Sequence, residues 1–302
     1  MYVNRIESKM FQHLNQLYPI YRECKNGKDM GGLLYNMADE LGEEKLFGKL
    51  LRLDHRHIAE IYGIEVLPRI RSKEVTYEWC EKSLVDYAFG EEQKTCIHGD
   101  DQHVKVSMTY YLKLKLVIEM LKGVETLHKA NIVHGDINLS NVWVRDNANA
   151  VLSNFHASHR AIDNGTATIP KPEILKRVRF WDPSILESVA FYNAFSADVF
   201  AIGFLLAELF SGSRILDHKF PHPVDTSFAL EEAVATTFYE DCRFNCLREL
   251  IYRCIDLEPN LRPSVQEVRT ILETLASKHQ IHLVFYVFEQ LEGRPFSIRD
   301  IE

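Results

Sequence analysis

The sequence predicts an α+β protein with two lobes, a small β-rich lobe with one helix followed by a larger and mostly helical lobe. The order of segments predicts this class, because strand-like runs and one helical segment come first and most helical segments come later. A length of 302 residues supports one large domain or two tightly joined lobes. Hydrophobic residues make up 46% and charged residues 26%, which excludes wholesale disorder.

The charge balance is acidic and narrows the classes of partner. Lysine and arginine total 35 against 43 aspartate and glutamate residues, which gives a net charge of −8. Nucleic acids and anionic membranes attract basic surfaces, so neither is a predicted partner. No apolar run reaches the length of a membrane span, and residues 1–20 lack the core of a signal peptide.

The cysteines and histidines show no metal-binding spacing. None of the six cysteines forms a CxxC pair, and the thirteen histidines supply no HExxH pattern. The sequence therefore predicts neither a metal site nor a disulfide framework. Such cysteine usage is typical of a reducing compartment, and we predict a cytoplasmic protein.

Residues 1–80 form the predicted small lobe. Leucines at near-helical spacing predict a helix over residues 40–53, and alternation over residues 74–79 predicts a short strand.

Residues 81–280 form the predicted larger lobe, and residues 281–302 form a C-terminal tail that begins with an apolar, β-prone run. Residues 197–210 are apolar on every side, which predicts a helix buried in the centre of the lobe. Residues 154–184 show no period and are predicted as a long loop. The other predicted elements are helices at 107–129, 246–257 and 264–277 and short strands at 132–133, 142–144 and 151–152.

The most informative segment is residues 132–156. It contains His134-Gly135-Asp136-Ile137-Asn138-Leu139-Ser140-Asn141, followed after two short β-prone runs by Asn154-Phe155-His156. Asp198 lies downstream in the run Ser196 to Gly203, Arg262-Pro263 follows Arg253-Cys254, and Tyr77-Glu78-Trp79-Cys80 lies upstream. This ordered series, over roughly residues 40–275, resembles the protein kinase family with its HRDxxxxN and DFG motifs.

The resemblance implies a bilobal protein kinase fold and assigns roles to matching residues. Asp136 takes the position of the catalytic base and Asn141 that of a metal ligand, while His134, Asp198 and Arg262 take structural positions. An aminoglycoside-phosphotransferase-like kinase is the alternative for the fold, because that family also has HGD followed by Asn. The helix containing Asp198 and the Arg262-Pro263 element favour the protein kinase branch.

Several positions of the larger lobe depart from the family pattern. Asn154 replaces the metal-binding aspartate and His156 replaces the glycine, while Phe155 is retained for packing. Gly135 replaces the arginine that reads a phosphorylated activation loop, and Asn138 stands where Ser/Thr kinases carry lysine. Asp182-Pro183-Ser184 replaces the APE element, so we expect Arg262 to lose its glutamate partner, with Glu187 as a substitute.

The small lobe departs further. No GxGxxG loop occurs in residues 1–40, so no row of backbone amides is predicted over a phosphate. The run Met30 to Tyr35 offers no lysine in register, and the helix glutamate position falls on Leu46. These are losses of parts that act as a unit in phosphoryl transfer.

The nucleotide pocket predicted by the resemblance consists of Tyr77, Glu78, Trp79, Cys80 and Trp143. Tyr77 and Trp143 are bulky, and together they fill the adenine slot if both face the cleft. If Trp143 instead faces the core of the larger lobe, the slot is left open.

The departures predict a pseudokinase, a kinase fold retained as a protein-binding and regulatory module with weak or absent ATP binding and no cofactor. The alternative is an active atypical Ser/Thr or Tyr kinase that uses Asp136, Asn141, ATP and Mg²⁺. The predicted partner is a protein, either an active kinase or another signalling protein. Residues 155–182 and 211–240 are candidate surfaces, and a basic cluster there either docks an acidic partner or is simply solvated: Lys171, Lys176, Arg177 and Arg179.

Overall fold

The structure is a computed structural model. It describes the following residues: 20–25, 28–36, 44–67, 72–80, 82–89, 110–145, 148–162, 165–170, 180, 182–188, 190–212 and 245–277.

The small lobe contains one antiparallel sheet. Its strands are β1 (Ile20–Lys25), β2 (Lys28–Asn36), β3 (Ile61–Leu67) and β4 (Ser72–Glu78). Their order in the sheet is β1-β2-β4-β3. β1 pairs with β2, with Lys25 opposite Lys28, and β4 lies between β2 and β3. The small lobe is therefore rich in β-structure, as predicted.

The helix of the small lobe is α1 (Glu44–Leu50), which ends before the predicted limit of residue 53, while residues 40–43 lie outside the described residues. Leu46 and Leu50 are each 2% exposed, so the leucine spacing identified the buried face. Lys49 Nζ donates to the Ala130 carbonyl at 3.0 Å, which ties the helix to the larger lobe. Leu46, which the sequence register aligns with the family's glutamate, is thus a core residue.

The larger lobe is built on helices around a continuous core. Its elements are β5 (Lys82–Ser83), α2 (Leu84–Phe89), α3 (Tyr110–Lys129), β6 (Ile132–Val133), β7 (Val142–Val144), β8 (Ala150–Leu152), α5 (Ala194–Ser211), α6 (Asn245–Cys254) and a last helix, α7, over 265–277. The helix α3 buries Leu116, Leu121 and Leu127 completely, as its apolar spacing predicts.

The helix α5 lies at the centre of this lobe. It begins at an Asn193 cap, whose side chain accepts a hydrogen bond from the Ser196 N–H, and ends at Gly212 in the left-handed conformation. Among the described residues it is the one helix long and apolar enough to cross a membrane, yet 83% of that window is buried inside the protein. Its all-round apolar character is therefore that of a core helix, as predicted.

The prediction of a featureless loop over 154–184 is wrong in part. β9 (His159–Arg160) pairs with β6, and β10 (Thr166–Thr168) pairs with β11 (Phe191–Asn193). A short helix, α4 (Ser184–Glu187), follows Asp182. These elements are too short to show a period, and their strand partners are distant in sequence, so local patterning does not reveal them.

The two lobes meet along backbone contacts behind the cleft. Ala59 N–H donates to the Leu152 carbonyl at 2.8 Å, and Leu152 N–H donates to the His57 carbonyl at 2.9 Å. The His57 ring is hydrogen-bonded to the Ala150 carbonyl at 3.0 Å. The turn after α1 is thereby fixed to β8, which sets the position of the small sheet over the catalytic segment.

Some predictions lie outside the described residues. They concern the basic cluster at Lys171, Lys176, Arg177 and Arg179, most of the 211–240 surface, and the tail at 281–302.

Candidate functional site

A buried carboxylate, Asp198, organises the backbone that leads into the catalytic segment. Its oxygens accept hydrogen bonds from His134 N–H at 3.0 Å and Gly135 N–H at 2.9 Å, and His128 Nε2 lies at 2.9 Å. Burial alone would raise the pKa of Asp198, but the hydrogen bond and charge of His128, with the backbone hydrogen bond of Gly135, hold that pKa below its usual value. Asp198 therefore stays ionised and fixes the loop.

The loop position after His134 requires glycine. Gly135 has φ +79°, and a Cβ there would lie 2.5 Å from the Ala157 carbonyl oxygen. An arginine, as in the family motif, does not fit this backbone without a shift of residues on both sides. The loss of that arginine is thus built into the local geometry.

Arg262 pairs with Asp182 in place of the glutamate that the sequence lacks. Arg262 Nη1 and Nη2 donate to the two Asp182 oxygens at 2.5 and 2.9 Å, and both side chains are fully buried. The guanidinium also lies 4.8 Å from the Phe200 ring centroid. Asp182 stands two residues before Ser184, and the side chain of Glu187, the predicted substitute, lies outside the described part of the chain.

His134 is buried at the centre of the site and holds its neighbours by both ring nitrogens. Nε2 contacts the Ser153 carbonyl at 3.0 Å, and Nδ1 accepts from Asp136 N–H at 3.3 Å. Burial lowers the pKa of His134, which agrees with a neutral ring that donates from Nε2. Its ring packs against Phe155, which is 5% exposed and serves as a core residue.

The Asp136 carboxylate is held by two amide side chains. Asn138 Nδ2 donates to Oδ1 at 2.9 Å, and Asn141 Nδ2 donates to Oδ2 at 2.8 Å. Both asparagines also donate to the Asp136 carbonyl. Asp136 therefore stands at the position of a base, but both of its oxygens already accept hydrogen bonds.

Asn154 and His156 continue this hydrogen-bonded chain. Asn154 Nδ2 donates to Asn141 Oδ1 at 2.8 Å, and His156 Nδ1 lies 2.9 Å from Asn154 Oδ1. His156 Nε2 lies 3.5 Å from Asp136 Oδ2, beyond hydrogen-bond distance, so the four side chains form a ring joined by three hydrogen bonds and one close approach. We call Asp136, Asn141, Asn154 and His156 the closed ring.

These residues do not fit a Mg²⁺ ion. Mg²⁺ prefers carboxylate and phosphate oxygens, whereas Asn154 offers a neutral amide oxygen. The side-chain oxygens of Asn141 and Asn154 each already accept a hydrogen bond from the protein itself.

Trp143 lies on the face of β7 that meets the small lobe. On β7, Val142 and Val144 are buried and Trp143 between them is half-buried, so its side chain lies on the opposite face. Its ring centroid lies 5.3 Å from that of Tyr77 and 5.8 Å from that of Trp79. Trp143 thus contacts two aromatic residues of the small lobe and packs at the edge of the hydrophobic core.

Glu78 links the end of β4 to the turn after β7. Arg145 Nε and Nη2 donate to the two Glu78 oxygens at 2.5 and 2.8 Å, and Arg145 Nη1 donates to the Arg56 carbonyl at 2.5 Å. Cys80 Sγ lies 4.0 Å from Glu78 Oε1. The segment predicted as the hinge is therefore clamped to the larger lobe by an ion pair.

The structure thus brings together most of the predicted site residues and adds some that sequence reasoning missed. Asp182 and Arg145 carry ion pairs that no motif identifies, because each partner is distant in sequence. Ser184 lies outside the cleft, and its N–H donates to Asp182 Oδ1 at 3.0 Å.

Comparison with known proteins identifies the family. The family model described as "Protein tyrosine and serine/threonine kinase" matches residues 37–272. The match begins just after β2, so it includes the closed ring, Asp198 and Arg262 but neither of the first two strands. The strands expected to carry the phosphate loop and the lysine lie outside the matched range.

Three similar curated proteins are named as kinases. Dual specificity testis-specific protein kinase 2 of Mus musculus is 25% identical over 254 residues, which is 82% of this chain and 40% of that protein. A probable serine/threonine-protein kinase of Dictyostelium discoideum is 26% identical over 183 residues, 58% of this chain and 40% of that protein. Dual specificity protein kinase pyk3 of Dictyostelium discoideum is 26% identical over 60% of this chain and 13% of that protein. The chain spans 40% or less of the length of these relatives.

Proposed function

Because the chain belongs to the protein tyrosine and serine/threonine kinase family, we propose that it is a kinase-fold regulatory module that binds a signalling protein and transfers little or no phosphoryl group. One observation carries the proposal. The side-chain oxygens of Asn141 and Asn154, at the two positions where the family holds metal ions, accept hydrogen bonds from Asn154 and His156. Phosphoryl transfer depends on metal ions that neutralise the phosphates, so a site without them loses most of its catalytic power.

The nucleotide side of the cleft supports the same proposal. The rings of Tyr77, Trp79 and Trp143 pack against each other where an adenine base would need room. Leu46 is buried in place of the glutamate that would pair a phosphate-binding lysine. Since these parts act together in kinases, their separate losses compound.

The second candidate is an active atypical Ser/Thr or dual-specificity kinase. Asp136 and Asn141 favour it, because both residues stand at their catalytic positions and are held rigidly. Such an enzyme would need ATP and Mg²⁺ held by Asn141 and the phosphates, with the closed ring opened. The relatives named as dual specificity and serine/threonine kinases make this candidate worth a direct test.

Nucleotide binding separates the two candidates. We expect no change in melting temperature of the wild-type protein when ATP is added up to millimolar concentration, with or without Mg²⁺ or Mn²⁺. The Trp143→Ala variant opens the slot, and Phe191→Ala is the matched control because Phe191 is a 55% exposed aromatic residue on β11. Stabilisation of the wild-type protein by micromolar ATP with Mg²⁺ would contradict the proposal.

Phosphoryl transfer itself is the second test. Wild-type protein and Asp136→Ala are incubated with radiolabelled ATP, Mg²⁺ or Mn²⁺ and a generic protein substrate. The proposed module gives equal, background incorporation for both proteins. Incorporation that disappears in Asp136→Ala would establish the atypical kinase instead.

The partner we propose is a cytoplasmic signalling protein, such as an active kinase, that recognises the kinase surface without nucleotide. The overall acidic charge favours a basic partner over most of the surface, whereas the predicted basic cluster at 171–179 would suit an acidic segment. Reversing Lys171, Lys176, Arg177 and Arg179 to glutamate and measuring partner capture tests the second possibility. Unchanged capture would assign the cluster to solvent.

A further inference from the structure

The closed ring has only one self-consistent set of donors and acceptors. The Asp136 carboxylate can only accept, so Asn141 must direct its NH₂ group at it and its Oδ1 away. Asn141 Oδ1 must then accept from the NH₂ group of Asn154, which leaves Asn154 Oδ1 as an acceptor. The donor to Asn154 Oδ1 is His156 Nδ1, at 2.9 Å. Each orientation follows from the previous one, beginning at Asp136.

His156 therefore has a definite chemical role in this ring. Its Nδ1–H satisfies the one amide oxygen that Asn154 could offer to a cation. Its Nε2 lies 3.5 Å from Asp136 Oδ2, so the imidazole spans the distance between the two ends of the ring. The side chain is 9% exposed, which places it inside the site rather than over it.

We propose that Asn154 and His156 form a two-residue lock on the metal site, in which the imidazole of His156 replaces the metal ion as the group that satisfies residue 154. This inference rests on the proposed function and assigns its enforcement to two particular residues. A glycine at 156 would leave residue 154 without this donor, and an aspartate at 154 would supply the missing negative charge.

The lock predicts that neither single reversal restores metal binding. In Asn154→Asp the hydrogen bond to Asn141 Oδ1 is lost. The new carboxylate still receives the His156 Nδ1–H, however, and this charge-assisted bond is stronger than the neutral one, so a metal ion has to displace the imidazole. In His156→Gly the site is open, but Asn154 still offers only a neutral amide oxygen. The double variant alone combines an open site with a carboxylate ligand. The two substitutions should therefore be strongly non-additive.

Mn²⁺ alone is the probe, and free Mn²⁺ is measured by electron paramagnetic resonance against wild type, both single variants and the double variant. We expect the double variant to bind Mn²⁺ at least about tenfold more tightly than either single variant. The matched control combines Asn154→Asp with His159→Gln, since the His159 ring contacts the Ala157 carbonyl and Tyr192 Oη instead of the closed ring. This control should bind no better than Asn154→Asp alone.

A second measurement is made on the wild-type protein, and a variant serves only to assign the signals. Long-range ¹H–¹⁵N correlation spectra of the histidine rings, assigned by comparison with His156→Gly, report which ring nitrogen of His156 carries a proton. The ring orientation requires a proton on Nδ1, and a ring protonated on Nε2 alone would overturn the lock.

The two proposals fail in different experiments. ATP binding by the wild-type protein in the presence of Mg²⁺ would defeat the proposed function. Equal Mn²⁺ affinities of Asn154→Asp and the double variant would defeat the lock while leaving a non-catalytic module in place. A folded double variant that binds no Mn²⁺ would likewise overturn the lock.

Discussion

Two neighbouring clusters in the larger lobe, the buried frame and the closed ring, differ in which charged residues they contain. The buried frame consists of Asp198, Gly135, Asp182 and Arg262, and its carboxylates are paired with backbone amides and a guanidinium. In the closed ring, by contrast, the neutral amide of Asn154 replaces a carboxylate that would face a metal ion, and the imidazole of His156 replaces a glycine. The frame therefore keeps its charged pairs, with Asp182 in place of a glutamate, whereas the ring keeps only the charge of Asp136.

The difference follows from what each charge does. An arginine buried without its partner costs several kcal/mol, about 3–5, so the fold needs the frame intact. A carboxylate that faces a metal contributes to catalysis and not to folding. Its loss is tolerated once other side chains satisfy the groups around it. Stability and catalysis therefore depend on different residues here, although the two parts meet at Gly135 and Asp136.

The largest expected effect is in the frame. Asp182→Ala leaves the fully buried Arg262 without its carboxylate, so we expect the free energy of unfolding to fall by about 3–5 kcal/mol. Urea unfolding measures it, with Glu273→Ala as the control. That variant removes a partly exposed partner of Arg269 and should cost only about 0.3–0.5 kcal/mol. Similar decreases in the free energy of unfolding of both variants would mean that the buried pair of the frame stabilises the protein no more than a partly exposed ion pair does.

The junction between frame and ring should be nearly as sensitive. Gly135→Ala places a Cβ 2.5 Å from the Ala157 oxygen at φ +79°, and we expect a loss of about 2 kcal/mol. Gly48→Ala is the matched control. Gly48 lies in α1, and a Cβ added there would meet no atom within 4 Å, so alanine should stabilise the protein by up to about 1 kcal/mol. A neutral Gly135→Ala would show that the loop backbone relaxes.

The pH dependence of stability should follow the buried histidines of the lobe contact. Burial lowers the pKa of His57 in the folded protein, despite the opposing hydrogen bond to Ala150. The unfolded chain therefore binds the proton first as pH falls below about 6.5, and stability decreases from there until the folded pKa is passed. The slope from this residue is at most about 1.4 kcal/mol per pH unit.

Urea unfolding between pH 7.5 and 5.5 tests this dependence. We expect the slope to be smaller in His57→Asn, which keeps a donor near the Ala150 carbonyl but does not titrate. Equal slopes in wild type and variant would mean that His57 does not contribute.

The smallest expected effect is in the closed ring. His156→Ala removes the hydrogen bond between the imidazole and Asn154 Oδ1. We therefore expect the free energy of unfolding, measured in urea, to fall by about 1 kcal/mol. A decrease in the free energy of unfolding as large as that of Asp182→Ala would show that the ring stabilises the fold as much as the frame does.

Much of the fold could be predicted from the sequence because its signals are local. The apolar period of α3, the all-apolar run of α5 and the ordered motifs around His134 and Asp198 each identified a described element or residue. The strands β9 and β10 within residues 154–184 could not be predicted in this way, because they are two or three residues long and their pairing is non-local.

The sequence by itself determined which chemical groups stand at the catalytic positions, including Asn154, His156, Gly135 and Trp143, because side-chain identity follows directly from the residue. Only the tertiary structure decided what those groups do. It placed Asp182 against Arg262, placed Trp143 against Tyr77 and joined the closed ring through contacts between side chains. The reason is physical. Hydrogen bonds and ion pairs depend on distances of about 3 Å between atoms, and the fold alone brings distant residues to that distance.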